Sequence, residues 1–223
     1  MHFSQSNLIP RSFFALALTL TLTSPAPYAV QARAPISKVA AERGVTVTAA
    51  ASCRHIDNFQ RVNSQLLRGA VPSAKGLKEL RDAGVKTIVN LRGEDSSPDE
   101  EAEARALGLE YFNIPFGHLK KPDIDKISTV LNIIQNPQYQ PVFVHCRQGA
   151  DRTGMIVGIY RVLHDGWSFD RIYAEMRQHH FKPFFLTLKK TVQQFANKEY
   201  VYDPKNGVTL AGETPAGLHN GAI

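Results

Sequence analysis

The run Pro141-Val-Phe-Val-His145-Cys146-Arg-Gln-Gly-Ala-Asp-Arg152-Thr153-Gly154 constrains this chain more than any other segment. A short β-branched and aromatic stretch bounded by turn residues reads as a buried strand, and the polar residues after it read as a loop opening into a helix. A strand, a tight loop and a helix in direct succession require a sheet with helices packed on it, the α/β arrangement. A helix that opens near Asp151 or Arg152 turns its unpaired N–H groups and positive dipole end toward Cys146, where they favour a thiolate and cradle an anion. Gly149 permits backbone geometry that most residues resist, and Arg152 can fork two N–H groups onto phosphoryl oxygens. Thr153 is placed to donate to the sulfur and ease its departure. A thiolate, a concave set of donors and a cation are together what cysteine chemistry at a phosphate ester needs.

These residues closely resemble the His-Cys-x5-Arg-Thr/Ser-Gly signature of cysteine-dependent protein tyrosine and dual-specificity phosphatases. Outside the loop, Arg68-Gly-Ala-Val-Pro-Ser73, Gly76-Leu-x-x-Leu80, Gly84-Val-Lys-Thr-Ile-Val-Asn-Leu-Arg92 and Ile114-Pro115 resemble the N-terminal half of compact atypical dual-specificity phosphatases, so the likeness covers about residues 55–200. It implies one α/β domain, a central mixed sheet flanked by helices. It further implies Cys146 as nucleophile, Arg152 as phosphate binder, His145 as modulator of the thiolate and Thr153 as helper in breakdown of a phosphocysteine. Arg147, Gln148, Gly149, Ala150, Asp151 and Arg152 would form the substrate cradle, with no metal and no cofactor. Phosphotyrosine or dual-specificity phosphoprotein hydrolysis is the activity this resemblance implies.

The acid that protonates the leaving oxygen usually lies on a separate mobile loop. Phe116–Lys126 is that segment here, and Asp123 is the expected donor, with Asp125 and His118 as alternatives. Asp123 also reads as a helix-start acid, because it follows Pro122 and precedes an apolar helical pattern. Asp151 is either an acid within the loop or an anchor for it. Gly-x-Asp-Arg-Thr loops resemble those of some bacterial tyrosine phosphatases and of myotubularin- and Sac-type lipid phosphatases. An inositol phosphate or phosphoinositide substrate is therefore the alternative, with Arg147, Lys120 and Lys121 as extra cationic contacts. A rhodanese-like sulfur carrier lacks the His-Cys and Arg-Thr-Gly flanks, and a phospho-binding pseudophosphatase is the non-enzyme reading.

Arg11 precedes an apolar stretch from Ser12 to Thr23, too short for the roughly 20 residues that span a bilayer. With Val30-Gln31-Ala32 as a cleavage site it reads as a signal peptide over residues 1–32, implying export to a periplasm or the medium. The chain carries a net charge of +6. This mild basic excess suits anionic phosphoester substrates, yet no Lys/Arg block interleaved with aromatics marks a nucleic-acid face. Cys53 and Cys146 are the two cysteines. Since Cys146 cannot be both permanent bridge and nucleophile, Cys53 is expected as a free thiol, a reversible bond between them being the alternative.

Residues 33–54 read as a linker and 55–202 as the phosphatase-like domain. Strands are predicted over Ser64–Gly69, Lys86–Leu91, Glu110–Ile114 and Val142–His145. Helices are predicted from Ser73 to Ala83, from Ser97-Pro98 onward, along the Ile124, Ile127, Leu131, Ile134 stripe, from the loop to His164, after Ser168, and over Leu186–Glu199. Residues 203–223 are expected to be a disordered tail.

Overall fold

A computed structural model describes residues 53–93 and 96–212. The expected signal peptide, the linker up to residue 52 and the tail beyond residue 212 lie outside the described residues. In chain order the elements are β1 (Gln60–Arg61), β2 (Leu66–Gly69), α1 (Ala74–Asp82), β3 (Thr87–Asn90), α2 (Pro98–Ala106), β4 (Glu110–Asn113), α3 (Ile124–Gln135), β5 (Val142–His145), α4 (Asp151–Asp165), α5 (Phe169–Gln178), α6 (Leu186–Ala196), β6 (Tyr200–Asp203) and β7 (Gly207–Leu210).

Five strands form one mixed sheet in the order β1-β2-β5-β3-β4, with β1 antiparallel to β2 and the remaining pairs parallel. β5 is the central strand, pairing Gly69↔His145 on one side and Asn90↔His145 on the other. The loop after His145 therefore emerges in the notch between two neighbours that end at the same level, the position where open α/β sheets bind ligands.

The two-residue period of a strand divides β5 between two cores. Val142 and Val144 join Leu66 and Val89 under α3, α4 and α6, whereas Phe143 joins Leu67 and Ile88 under α1 and α2. The same alternation sends His145, stacked 5.7 Å from Phe143, to the α1/α2 side and Cys146 into the core of the α4 side.

The start signals act as expected at three helices. Ser73 accepts from the Gly76 N–H, Ser97 from that of Asp99 and Asp123 from that of Asp125, each satisfying a helix-end donor that would otherwise be unpaired. α4 is buried continuously from Asp151 to Arg161, so it has no solvent stripe and serves as the spine of the second layer. Gly158 lets α5 and α6 close on it: a Cβ there would meet Ile172 Cγ2 at 2.9 Å and Val192 Cγ1 at 3.2 Å. Among the described residues no helix is long and apolar enough to cross a membrane.

Two boundaries differ from expectation. Residues 203–212 are not a disordered tail: β6 and β7 pair as an antiparallel hairpin, with Tyr202 donating to Asn132 Oδ1 at 2.6 Å and the Val208 N–H donating to Ser128 Oγ at 2.8 Å. The turn explains the miss, because Asp203 Oδ1 accepts from the Lys205 and Asn206 N–H groups before Gly207 adopts φ +76°, a hairpin closure hidden within a polar run. Cys53 is likewise part of the domain rather than of a linker, being 4 % exposed and packed against the α1/α2 core. Both cysteines are free, and they lie in cores on opposite faces of the sheet. Burial, with Glu79 adding to it, pushes the Cys53 thiol up to about 11, as befits an unreactive thiol.

Candidate active site

Cys146 sits at the end of β5, 3 % exposed, on the floor of a cavity of about 270 Å³ whose walls include Arg147, Gln148, Asp151, Arg152, His118 and Lys182. α4 begins at the far side of the loop, and Ala150 at its N-cap supplies no side-chain cap. The first N–H groups of α4 are therefore donors for an anion, with the helix dipole behind them. Gly149 holds φ at +65°, and a Cβ on it would stand 2.3 Å from Gly69 C and 2.4 Å from Gly69 O. Both the turn and the close approach of β2 demand glycine.

Arg152 is 3 % exposed, and its Nη1 donates to the carbonyls of Leu91 at 3.3 Å and Phe116 at 3.5 Å. The guanidinium is thereby fixed from two neighbouring segments before any phosphoryl group arrives, which lowers the ordering cost of a bidentate contact. Thr153 is fully buried, and its hydroxyl has no hydrogen-bond partner among the described residues.

Three supports behind the loop escaped the sequence reading. Arg68 on β2 is 0 % exposed and its Nη2 donates to Gly149 O at 2.7 Å, while Nε and Nη1 make no hydrogen bond among the described residues. Burial pulls its guanidinium down to about 10, opposed by the charges of Glu175 and Cys146. A buried cation hydrogen-bonded to the loop is a positioning group for it. Arg68→Met leaves the Gly149 carbonyl unpaired, a cost of about 1–3 kcal/mol or roughly 5–150-fold. We expect vanadate affinity and kcat/KM to fall together within that range, measured by inhibition and steady-state assays. An unchanged vanadate affinity would remove the role.

The second support is a chain of buried polar and ionisable side chains on the α2 side. His145 Nε2 lies 2.8 Å from Glu100 Oε1, Glu100 Oε2 pairs with Arg92, and the Tyr111 hydroxyl donates to Glu100 Oε1 at 3.1 Å. Glu100 was legible only as one of three helix-start acids; its burial comes from α2 packing against the sheet. His145 Nδ1 lies 3.3 Å from the carbonyl oxygen of Cys146, so this network orients the residue that precedes the nucleophile.

The third is Asn58, which donates through Nδ2 to Gln148 O and His179 O, both at 3.1 Å, and faces His179 Nδ1 through Oδ1 at 2.8 Å. Burial, reinforced by Arg68, lowers His179 to about 4. An unfolded histidine titrates near 6.5, so between about pH 6.5 and 4 the unfolded chain binds the extra proton and stability falls as pH falls. Urea midpoints at pH 7 and 4.5 should show that loss, and His179→Gln should reduce it.

The acid candidates separate by position. Asp123, the expected donor, is the exposed N-cap of α3, its Oδ1 accepting from the Asp125 N–H at 2.9 Å, and neither aspartate lines the cavity. The helix-capping reading of Asp123 accounts for its geometry. His118 from the same loop does line the cavity, its ring stacked 4.9 Å from that of Phe185. Asp151 has both oxygens engaged by Lys182, Oδ1 by the backbone N–H at 2.8 Å and Oδ2 by Nζ at 3.1 Å. That arrangement makes Asp151 an anchor between α4 and the segment after α5. Lys182 Nζ also donates to Gln148 Oε1, closing the cavity wall.

Residues 39–194 match the family described as DSP-PTPase phosphatase fused to NAD+ Kinase. The dual specificity protein phosphatase TpbA of Pseudomonas aeruginosa is 30 % identical over 122 residues, 54 % of this chain and 53 % of that protein. The inositol diphosphatase SIW14 of Saccharomyces cerevisiae is 26 % identical over 130 residues, 56 % of this chain and 46 % of that protein. The chain thus spans about half the length of the curated relatives it matches. Among solved structures, the core catalytic domain of the PP-IP phosphatase SIW14 in complex with citrate superposes with a TM-score of 0.57 at 22 % identity, covering 65 % of this chain and 88 % of that one. P. aeruginosa TpbA gives 0.54 at 24 % identity, covering 61 % and 84 %; at these identities the likeness shows the fold. The family match takes in the central strand, the whole loop from Cys146 to Thr153 and the α4–α6 layer, and on it the chain belongs to the DSP-PTPase phosphatase family.

Proposed function

We propose that this protein hydrolyses phosphate monoesters through a phosphocysteine intermediate. The observation that carries the reading is one geometry: Cys146 at the base of a cavity that faces the uncapped N-terminus of α4, with Arg152 held beside it. Cys146 Sγ attacks phosphorus, the ester oxygen leaves with a proton from the cavity wall, and water then attacks the phosphocysteine to release inorganic phosphate and the thiolate. Arg152 and the α4 N–H groups hold the equatorial oxygens as charge shifts across them. His118 lines the cavity, which supports it as the proton donor.

The substrate class we propose is a phosphotyrosine or dual-specificity phosphoprotein. A soluble inositol phosphate is the second reading, favoured by a cavity of about 380 Å³ that adjoins the first through Arg147, Gln148 and Lys182 and adds Asn58 and His180. Phosphate release from phosphotyrosine peptide, phosphoserine peptide, phosphoinositide and soluble inositol phosphates separates the two, and no turnover on any, p-nitrophenyl phosphate included, would leave a phospho-binding pseudophosphatase.

Leaving-group dependence assigns the acid. His118→Asn should depress turnover of phosphotyrosine peptide by about 10²-fold while sparing an activated aryl phosphate, because a good leaving group needs no proton. Asp151→Asn should depress both alike through the loop, and Asp123→Asn should cost a few-fold in stability-linked activity only. Selective loss in Asp123→Asn would return the role to that residue. We further propose that the protein is exported and begins near Arg33 when mature; mass spectrometry of the terminus tests this.

A further inference from the structure

Five large apolar side chains are well exposed among the described residues, and three of them adjoin the catalytic cavity: Leu119 at 79 %, Phe184 at 67 % and Leu186 at 68 %. Leu119 follows His118, and Phe184 and Leu186 flank Phe185, both wall residues of that cavity. The two segments are clipped together, since Thr187 Oγ1 donates to His118 O at 3.1 Å and the His118 ring stacks on Phe185. The three side chains therefore belong to one rim, unlike singly scattered surface apolars.

None of the three lines the cavity itself. They project outward, so they are suited to entering a soft apolar phase more than to gripping a peptide side chain, which needs a concave receptor. The two segments that carry them are basic. Residues 116–121 and 179–190 contain no Asp or Glu and carry Lys120, Lys121, Lys182, Lys189 and Lys190. Lys182 is committed to Asp151 and Gln148, whereas Lys120 and Lys190 are exposed. Protruding apolar residues beside an acid-free set of lysines complement the anionic headgroups and acyl boundary of a bilayer, and each lysine near such a surface contributes roughly fivefold in partition.

We propose that the rim of the catalytic cavity is a peripheral membrane-docking surface, seating Leu119, Phe184 and Leu186 in an anionic bilayer with Lys120, Lys121 and Lys190 against its headgroups. The cavity mouth then faces the membrane surface, where phosphorylated groups displayed by lipids or by membrane proteins come within reach of Cys146. This surface binds whether or not the catalytic reading holds.

Co-sedimentation of the full chain with phosphatidylcholine vesicles, with and without phosphatidylglycerol, tests it. Binding is expected only with phosphatidylglycerol. The triple variant Leu119→Ser, Phe184→Ser, Leu186→Ser should lower the partition about tenfold or more, with turnover of a soluble aryl phosphate unchanged as evidence of folding. The apolar Ser12–Thr23 stretch is common to both proteins, so the difference reports the rim. Phe184→Trp gives a direct second readout: its added fluorescence should be quenched by brominated lipid in anionic vesicles. Equal partition of wild type and triple variant, or no quenching, would overturn the proposal. Lys120→Gln, Lys121→Gln should also lower the partition, by up to about 25-fold, and unchanged binding in that variant would likewise overturn the proposal. A triple variant with raised KM for phosphopeptide and a wild type that ignores vesicles would assign the rim to a peptide and equally overturn it. Vesicle binding without turnover on any phosphoester would leave the docking surface standing and remove the phosphatase reading.

Discussion

Serine in place of Cys146 is expected to abolish phosphate release, by on the order of 10⁴-fold or more, while vanadate or phosphate still binds. The size follows from losing the covalent route altogether: removal of a nucleophile costs far more than removal of a supporting contact. Retained binding follows from the construction of the cradle. Arg152 is held by the Leu91 and Phe116 carbonyls, Gly149 by Arg68, and α4 keeps its N-terminal donors; none of these contacts involves the sulfur. Arg152→Lys separates the two effects in the other direction. A lysine keeps the charge and loses the fork, so anion affinity and turnover should both fall. Activity of Cys146→Ser above a small fraction of wild type would end the phosphocysteine mechanism.

The sequence exposed the parts of this site whose chemistry is carried by residue type within one short run. Cys146, Arg152 and Gly149 needed only a strand before them and a helix after them, and both neighbours were visible in periodicity and turn residues. The parts assembled across the sheet were not visible. Arg68, 81 positions from the Gly149 carbonyl it holds, lies in a stretch that reads as an ordinary strand. Glu100 resembled its solvated neighbours until α2 packed against the α1/α2 core and brought it to His145. Asp123 carried two readings for a related reason: a loop acid and a helix cap have the same one-dimensional signature, and which role wins depends on where the helix points. The hairpin after α6 was hidden because a three-residue polar turn between two short strands resembles a tail when no partner is in view. Its partner is α3, about 70–80 residues earlier.

Alanine at position 149 is expected to do what serine at 146 does not, namely to remove anion binding as well as turnover. Gly149 is at φ +65°, where an L side chain costs about 1–2 kcal/mol by itself. The larger effect is steric. Its Cβ would be 2.3 Å from Gly69 C and 2.5 Å from Ala70 N, backbone atoms of a segment beginning on the paired strand β2, so the loop and not the sheet must yield. Moving the loop away from β2 stretches the Arg68–Gly149 hydrogen bond and rotates the first N–H groups of α4 off the point where phosphoryl oxygens converge. Positioning errors of about 1 Å cost on the order of 10²-fold in catalysis, and here the nucleophile, the donors and the arginine are all carried by the displaced segment, so a loss of 10³-fold or more is expected. The sheet and the helical layer keep their contacts, so thermal unfolding should remain cooperative. Vanadate inhibition of the residual activity and direct phosphate binding are the measurements. Gly149→Ala with wild-type vanadate affinity would mean that the anion is held by Arg152 and its neighbours without the loop backbone. The pairing is diagnostic: Cys146→Ser retains the anion without chemistry, and Gly149→Ala loses both, because one removes the reacting atom and the other removes the geometry that brings a phosphoryl group to it.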